Sequence, residues 1–225
     1  MTKRALDVAL AGTVLLVGAP LLGVLSAAIR LESAGPALFR QTRVGRGKLP
    51  IRTVKLRTMV VDADRQGPQI TASGDSRITR VGRVLRRTKL DELPQLWNVL
   101  VGDMSVVGPR PEVPRYTETY RPEWQNLFTV RPGITDLASL TFRDEESLLA
   151  AARDRERAYR EVIMPAKLAL ALESVERSSL RHDLSIIART ALSVLGYRST
   201  REEAILADVR RRIAALDQLD QVESS

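Results

Sequence analysis

"RRTKLDELPQLWNVLVGDMSVVGPRPE", residues 86–112, gathers an Arg pair, the adjacent carboxylates Asp91 and Glu92, an apolar run and Arg110 between two prolines. Pro94 is tolerated in a helix only in its first turn, so the spacing predicts a helix beginning near Asp91 or Glu92, with Leu96, Trp97 and Leu100 on its buried side. The carboxylates then lie at a helix N-terminus, where free N–H groups and the positive end of the dipole keep a carboxylate ionised and also suit a phosphate. Successive helical residues point about 100° apart, so Asp91 and Glu92 need not share one task. Taken alone the pair has two readings: a capping Asp beside a surface Glu paired with Arg86 or Arg87, or a nucleophile or Mg2+ ligand set among cations. "VGPRP" is equally open, as a rigid Pro-bounded turn or as a fixed guanidinium gripping a phosphate.

The rest of the chain sets the context. Its 225 residues suffice for one domain with a real core, and a formal charge of +8 favours an acidic partner: nucleic acid, anionic lipid or a phosphorylated small molecule. The absence of cysteine excludes disulfides, Cys-rich zinc sites and thiol nucleophiles, and the single histidine, His182, reads as a surface or capping residue at a helix start. Catalysis must then come from Asp, Glu, Lys, Arg, Ser, Thr or Tyr, with or without a hard metal. Nine aromatics (two Trp, four Tyr, three Phe) and no reader motif leave few stacking positions, which argues against nucleic acid.

At the N-terminus, Val8 to Ile29 is a charge-free run of 22 residues, close to the roughly 20 that a helix needs to cross a bilayer. A cleaved signal peptide is the rival, disfavoured by the length of the run. Pro20 stands mid-run between Gly18 and Gly23 and predicts a kink. Both flanks are basic, Lys3 and Arg4 before and Arg30, Arg40, Arg43, Arg46 and Lys48 after, so the positive-inside rule places neither end across the membrane. The expectation is a Pro-broken hairpin dipping into one leaflet, with a kinked single span as the alternative. Downstream, residues 36–59 read as a β-hairpin around Gly45-Arg46-Gly47-Lys48, which lacks the glycine spacing of a Walker loop. Val60 to Asp75 reads as a mobile polar connection, "ITRVGRVLRRTKLDEL" from Ile78 as a basic amphipathic helix suited to a membrane surface, and the C-terminal third as helices interrupted near Pro165.

The fold class expected is therefore α+β, mainly helical: residues 1–30 a re-entrant membrane element, 31–197 a catalytic domain with a small β-hairpin and interfacial amphipathic helices, and 198–225 an amphipathic terminal helix or tail. That last stretch suits a membrane-lying or self-associating helix, and with it a homodimer, as well as an ordinary solvated helix.

The order "KRALD", a Pro-broken apolar segment, "FRQTRVG", "VKLRTM", the block ending "DELPQLWNVLVGDMSVVGPRPE" and "VRPGIT" resembles the monotopic polyprenyl-phosphate phosphoglycosyl transferases, the bacterial sugar transferase family, from about Lys3 to Leu195. The resemblance implies transfer of a sugar-1-phosphate from a nucleoside diphosphate sugar, a UDP-sugar foremost, to polyprenyl (undecaprenyl) phosphate. UMP is released, at the cytoplasmic face of the bacterial plasma membrane, in the first membrane step of glycoconjugate or exopolysaccharide assembly. It implies Asp91 as nucleophile and Mg2+ ligand, Glu92 as a second catalytic carboxylate, and Lys55, Arg57, Arg87, Arg110 and Arg131 as phosphate- or nucleotide-binding residues, with Pro20 at the membrane break. Two positions depart from the family pattern. Many relatives have Ser where Ala19 precedes Pro20, and many continue "PGIT" with Gly where this chain has Asp136. The competing functions are a membrane-associated nucleotide-sugar diphosphate hydrolase, which water attack on an aspartyl phosphate would give, and a non-catalytic membrane scaffold, which gives no reason for the Arg–carboxylate–Pro block.

Overall fold

The computed structural model describes residues 2–63 and 70–223, with side chains to residue 218, so the Val60–Asp75 connection lies partly outside the described residues. In chain order the elements are α1 (Thr2–Glu32), β1 (Leu38–Val44), β2 (Pro50–Leu56), α2 (Arg80–Thr88), α3 (Gln95–Val101), β3 (Ser105–Val107), α4 (Pro114–Thr117), β4 (Gly133–Thr135), α5 (Leu137–Thr141), α6 (Glu145–Ala150), α7 (Arg155–Ala158), α8 (Met164–Glu176), α9 (Leu180–Val194) and α10 (Thr200–Glu223). The class is α+β and mainly helical, with a long apolar N-terminal helix.

Helix α1 is one unbroken element with Pro20 inside it, where a division into two short helices was expected. Proline removes a single hydrogen bond, and the flanking Ala, Leu and Val residues are able to resume helical geometry beyond it. Both ends of α1 are fixed to the same folded body. Near its start, Lys3 Nζ donates to Asp183 Oδ2 (2.6 Å), and the buried Asp7 accepts from Ser105 Oγ (2.8 Å) and Val106 N (2.9 Å). At its far end Ile29 packs with Leu56 and Leu85, and the Glu32 carboxylate accepts from the first N–H groups of α2, Arg80 N (2.7 Å) and Val81 N (2.9 Å). Between these anchors Leu16, Val17 and Val24 are 79%, 75% and 67% exposed. A row of large apolar side chains left uncovered on a 31-residue helix marks a surface meant for a non-aqueous neighbour.

The hairpin forms as expected, β1 pairing antiparallel with β2 from Leu38↔Leu56 to Val44↔Pro50, and Gly47 (φ +66°) makes the turn. Helix α2 begins at Arg80, capped by Thr79, whose hydroxyl accepts from Gly82 N (2.9 Å). Gly82 is required for packing: a Cβ there would lie 2.0 Å from Thr58 O, so α2 could not approach the end of β2. Helix α3 buries Leu96 and Val99, but Trp97, expected on the inner side, is 58% exposed. Adjacent helical positions diverge by about 100°, and with Leu96 inward Trp97 turns outward beside Val101, as Val84 does on α2.

One side chain sets α3 against the hairpin. Asn98 Oδ1 accepts from Val54 N (3.1 Å) and its Nδ2 donates to Arg52 O (2.7 Å), so it closes two backbone groups of β2. Asn98→Leu leaves both unpaired in a buried place. We expect a loss of about 2–4 kcal/mol and a fall in Tm of roughly 5–15 °C by thermal unfolding; a Tm within about 1 °C of wild type would contradict this role.

No local pattern announces the parallel pair β3–β4, in which Ser105 faces Gly133 and Val107 faces Thr135. Strands this short carry no periodic signal, and the pairing depends on Gly133, where a Cβ would meet Gly108 N at 2.1 Å. Towards the C-terminus a π-helical turn, Tyr159–Ile163, precedes Pro165 at the start of α8, absorbing the interruption expected there. Helix α10 docks on α5 and this turn, burying Leu206, Val209 and Ile213. Its apolar stripe is thus used inside the chain.

Candidate active site

The junction between α2 and α3 builds the centre. Lys89 adopts φ +59°, a left-handed conformation that ends α2 abruptly, and Leu90–Glu92 follow as a single tight 3-10 turn. Asp91 and Glu92 therefore lie one turn before α3. They do not cap it, because Pro94 holds the position in front of α3 and makes no side-chain cap.

The two carboxylates have different environments. Both oxygens of Glu92 are engaged: Oε1 accepts from Lys55 Nζ (2.9 Å) and from Arg110 Nη2, and Oε2 from Arg110 Nη1 (3.0 Å). Burial raises the Glu92 pKa, but the Arg110 charge, then Lys55, outweigh it and hold the carboxyl well below its usual range. Asp91 is 7% exposed and its Oδ1 has no hydrogen-bond partner. Burial pushes its pKa up, opposed by Lys55, reinforced by Glu92, and opposed again by Arg86 and Lys89. Lys55 is itself lowered to about 8, chiefly by burial, against the stabilising charge of Glu92. The result is one carboxylate clamped as part of a scaffold and a second held beside it with a free oxygen, among cations from three separate parts of the chain.

The supports of this cluster are residues that sequence reading passed over. Arg43 on β1 donates to Pro111 O (2.7 Å) and lies 3.6 Å from Glu112, which also accepts from Tyr159 Oη (2.7 Å) and Val113 N (2.9 Å). These bonds fix the Pro109-Arg110-Pro111 turn, and through it the guanidinium. Arg86, with its bonds to Glu146 Oε1 (2.8 and 2.5 Å) and Thr58 Oγ1 (3.3 Å), is the member of the Arg pair whose charge acts on Asp91. A narrow cleft of ≈ 30 Å³ lined by Arg110, Glu112, Tyr120 and Phe128 opens beside the cluster. The only hint of these supports in the sequence was the adjacency of Glu112 to the Pro-Arg-Pro turn.

Of the seven expected site residues, Lys55, Asp91, Glu92 and Arg110 come together. Three do not. Arg57 follows the last residue of β2 and turns to the chain beyond α1, donating to Ser33 O (2.8 Å) and Ala34 O (2.7 Å). Arg87 is exposed on the outer side of α2. Arg131 donates from Nε to Gly102 O (2.8 Å) at the end of α3 and lines a different cleft.

For Mg2+, the chemistry of the donors decides the fit. No group of three or more His, Asp or Glu residues converges among the described residues, so an all-protein cage is excluded there. Mg2+ is commonly held through one or two carboxylates with phosphates and water completing its octahedron, and the unpaired Asp91 Oδ1 is such an oxygen. The residues fit a substrate-shared ion.

One N-terminal helix is long and apolar enough to cross a membrane, and it is tethered at both ends to the body that carries the Asp–Glu–Arg–Lys cluster and its Pro-Arg-Pro turn. The chain belongs to the bacterial sugar transferase family, which it matches over residues 1–197, so α10 lies beyond the shared region. It is 42% identical over 200 residues to a UDP-glucose:undecaprenyl-phosphate glucose-1-phosphate transferase of Caulobacter vibrioides, covering 87% of this chain and 70% of that one. It is 47% identical over 131 residues to a putative undecaprenyl-phosphate N-acetylgalactosaminyl 1-phosphate transferase of Bacillus subtilis (58% and 73%). With the exopolysaccharide production protein PSS of Rhizobium leguminosarum bv. phaseoli it shares 40% identity over 201 residues (86% and 94%). The chain is a transferase of this family.

Proposed function

We propose that this protein transfers a sugar-1-phosphate from a UDP-sugar to undecaprenyl phosphate through a covalent Asp91 intermediate, releasing UMP. The observation that carries the mechanism is the unequal pair: Glu92 has no free oxygen, whereas Asp91 Oδ1 is unpaired in a cationic setting. Asp91 attacks the phosphorus that bears the sugar; a new P–O bond forms to its carboxylate while the bond to the bridging oxygen breaks, and UMP departs with that electron pair. The undecaprenyl phosphate oxygen then attacks the same phosphorus, the acyl phosphate bond breaks, and Asp91 returns as a carboxylate. Lys55 and Arg110 hold phosphate oxygens and lower the repulsion between one anion and another. Mg2+, held by Asp91 and the diphosphate, supplies further charge neutralisation when bound.

The test is UMP release from a panel of UDP-sugars. Sustained release is expected only with undecaprenyl phosphate present, for one sugar above the rest, and is expected to stop with EDTA and return with Mg2+. Equal steady release without the lipid would identify a hydrolase instead, and full activity after thorough chelation would remove the metal from the mechanism.

We further place the chain on the cytoplasmic face of the inner membrane, with α1 bent at Pro20 within one continuous helix and so entering and leaving from one side. Straight, 31 residues would extend about 45 Å, ample for a span. A span would put Lys3 and Glu32 on opposite faces, yet both bond to the same body, to Asp183 and to the start of α2. Because the chain lacks cysteine, Thr2→Cys and Ala34→Cys supply clean probes. Both are expected to react with an impermeant maleimide in inside-out vesicles and neither in spheroplasts; labelling of one end from outside would make α1 a true span.

A further inference from the structure

Beyond the Asp91 cluster, a second cleft lies where the first turns of α1 meet the hairpin turn, β3 and the corner between α8 and α9. Its volume is ≈ 330 Å³, and four cations line it, Lys3, Arg4, Arg46 and Arg131, against two carboxylates, Asp7 and Asp183. That is the volume of a small-molecule site.

Both carboxylates are already answered. Asp183 is paired with Lys3, and Asp7 is held by Ser105 and Val106 N. The arginines have no such answer. Arg4 caps α3 through Val99 O (2.5 Å) and Leu100 O (2.8 Å), which are carbonyls that leave its charge unneutralised. Arg131 uses only Nε, on Gly102 O, and the side chain of Arg46, exposed on the hairpin turn, has no hydrogen bond or ion pair among the described residues. Arg4 and Arg131, held by backbone carbonyls with N–H donors to spare, and the freely oriented Arg46 match the oxygens of a phosphate, and the positive end of the α1 dipole adds to their field.

We propose that this cleft is a second phosphate-binding site, for the phosphate of an anionic lipid headgroup or for free phosphate. Its surroundings resemble those of an amphiphile. Val8, next to Asp7, is 40% exposed and Leu184, next to Asp183, is 49% exposed, while the uncovered stripe from Leu16 to Val24 begins two turns further along α1. A headgroup in the cleft would leave its acyl chains against these residues, locking the start of α1 at the interface. The cleft adjoins the catalytic cluster without including it: Pro109 and Val130 line both clefts, but Arg110 lines only the first and points its guanidinium at Glu92.

The experiment uses the full chain in a zwitterionic detergent, with thermal unfolding read against three probes: dihexanoyl phosphatidic acid, dihexanoyl phosphatidylcholine and inorganic phosphate. Phosphatidic acid is expected to raise Tm in a saturable way and phosphatidylcholine not to. A matching rise with inorganic phosphate at equal concentration identifies free phosphate as the ligand, and a rise with phosphatidic acid alone identifies the lipid. Arg46→Gln, which breaks no contact of the fold, and Arg46→Gln/Arg131→Gln are expected to weaken the apparent affinity by on the order of tenfold per guanidinium. In Arg110→Gln the response is expected to remain. No response in wild type, or a response lost with Arg110 and kept without Arg46 and Arg131, overturns the proposal.

Discussion

Asp91→Asn is expected to fold as well as wild type and to be inactive. The amide matches the carboxylate in shape and can be oriented with its nitrogen at either oxygen position, and the Oδ1 position has no hydrogen bond to lose. Burial raises the Asp91 pKa, so the ionised form is disfavoured in the folded state and its cost is present above the folded-state pKa. A neutral isostere removes that cost, so Tm at neutral pH should hold or rise slightly. Turnover should fall on the order of 10⁴-fold or more, since the nucleophile is gone. Wild type incubated briefly with labelled UDP-sugar and no lipid should carry label on the protein, and the variant none. Near-normal turnover in Asp91→Asn would end the covalent mechanism.

Glu92→Gln should behave differently, and the contrast separates the two carboxylates. Removing this charge leaves Lys55 and Arg110 facing each other without the anion that both contact. Loss of one member of a buried ionic group costs about 3 kcal/mol, which in a chain of this size is a fall in Tm of roughly 6–12 °C. Lys55 is affected further. Glu92 is the charge that opposes burial there, so without it the pKa of Lys55, already about 8, moves down and less of its ammonium form remains at neutral pH. We expect kcat/KM to fall by about 10²- to 10³-fold, with a weak covalent intermediate still trapped. If Glu92→Gln were as stable as wild type and wholly unable to form the intermediate, the roles of the two residues would have to be exchanged.

The same contrast shows how a charged motif divides its labour. Asp91 and Glu92 are neighbours in sequence, yet one has a free oxygen and the other has none. The difference arises from chain segments 37 and 18 residues away, those carrying Lys55 and Arg110. Alternation along an ideal strand would place Arg57 on the same side as Lys55. The strand ends at Leu56, and Arg57 closes the carbonyls beyond α1 instead. In the Arg pair, Arg86 faces Glu146 and Arg87 faces outward, a difference of one position that a helix of nine residues converts into opposite surroundings.

The sequence by itself determined what local patterns encode. A charge-free run of 22 residues specified an apolar helix, a Gly-Arg-Gly-Lys turn between mixed strands specified a hairpin, and the ordered motifs specified the family. It also singled out Asp91, Glu92, Lys55 and Arg110. Only the tertiary structure decided that α1 runs unbroken through Pro20 with both ends on one body, that β3 and β4 pair in parallel, that α10 docks inward, and that Arg57, Arg87 and Arg131 lie away from the carboxylates. The reason is range. Helix, strand and turn preferences act over a few residues, whereas a pairing such as Lys3 with Asp183 spans 180 positions, and no periodicity in the chain records where its path returns.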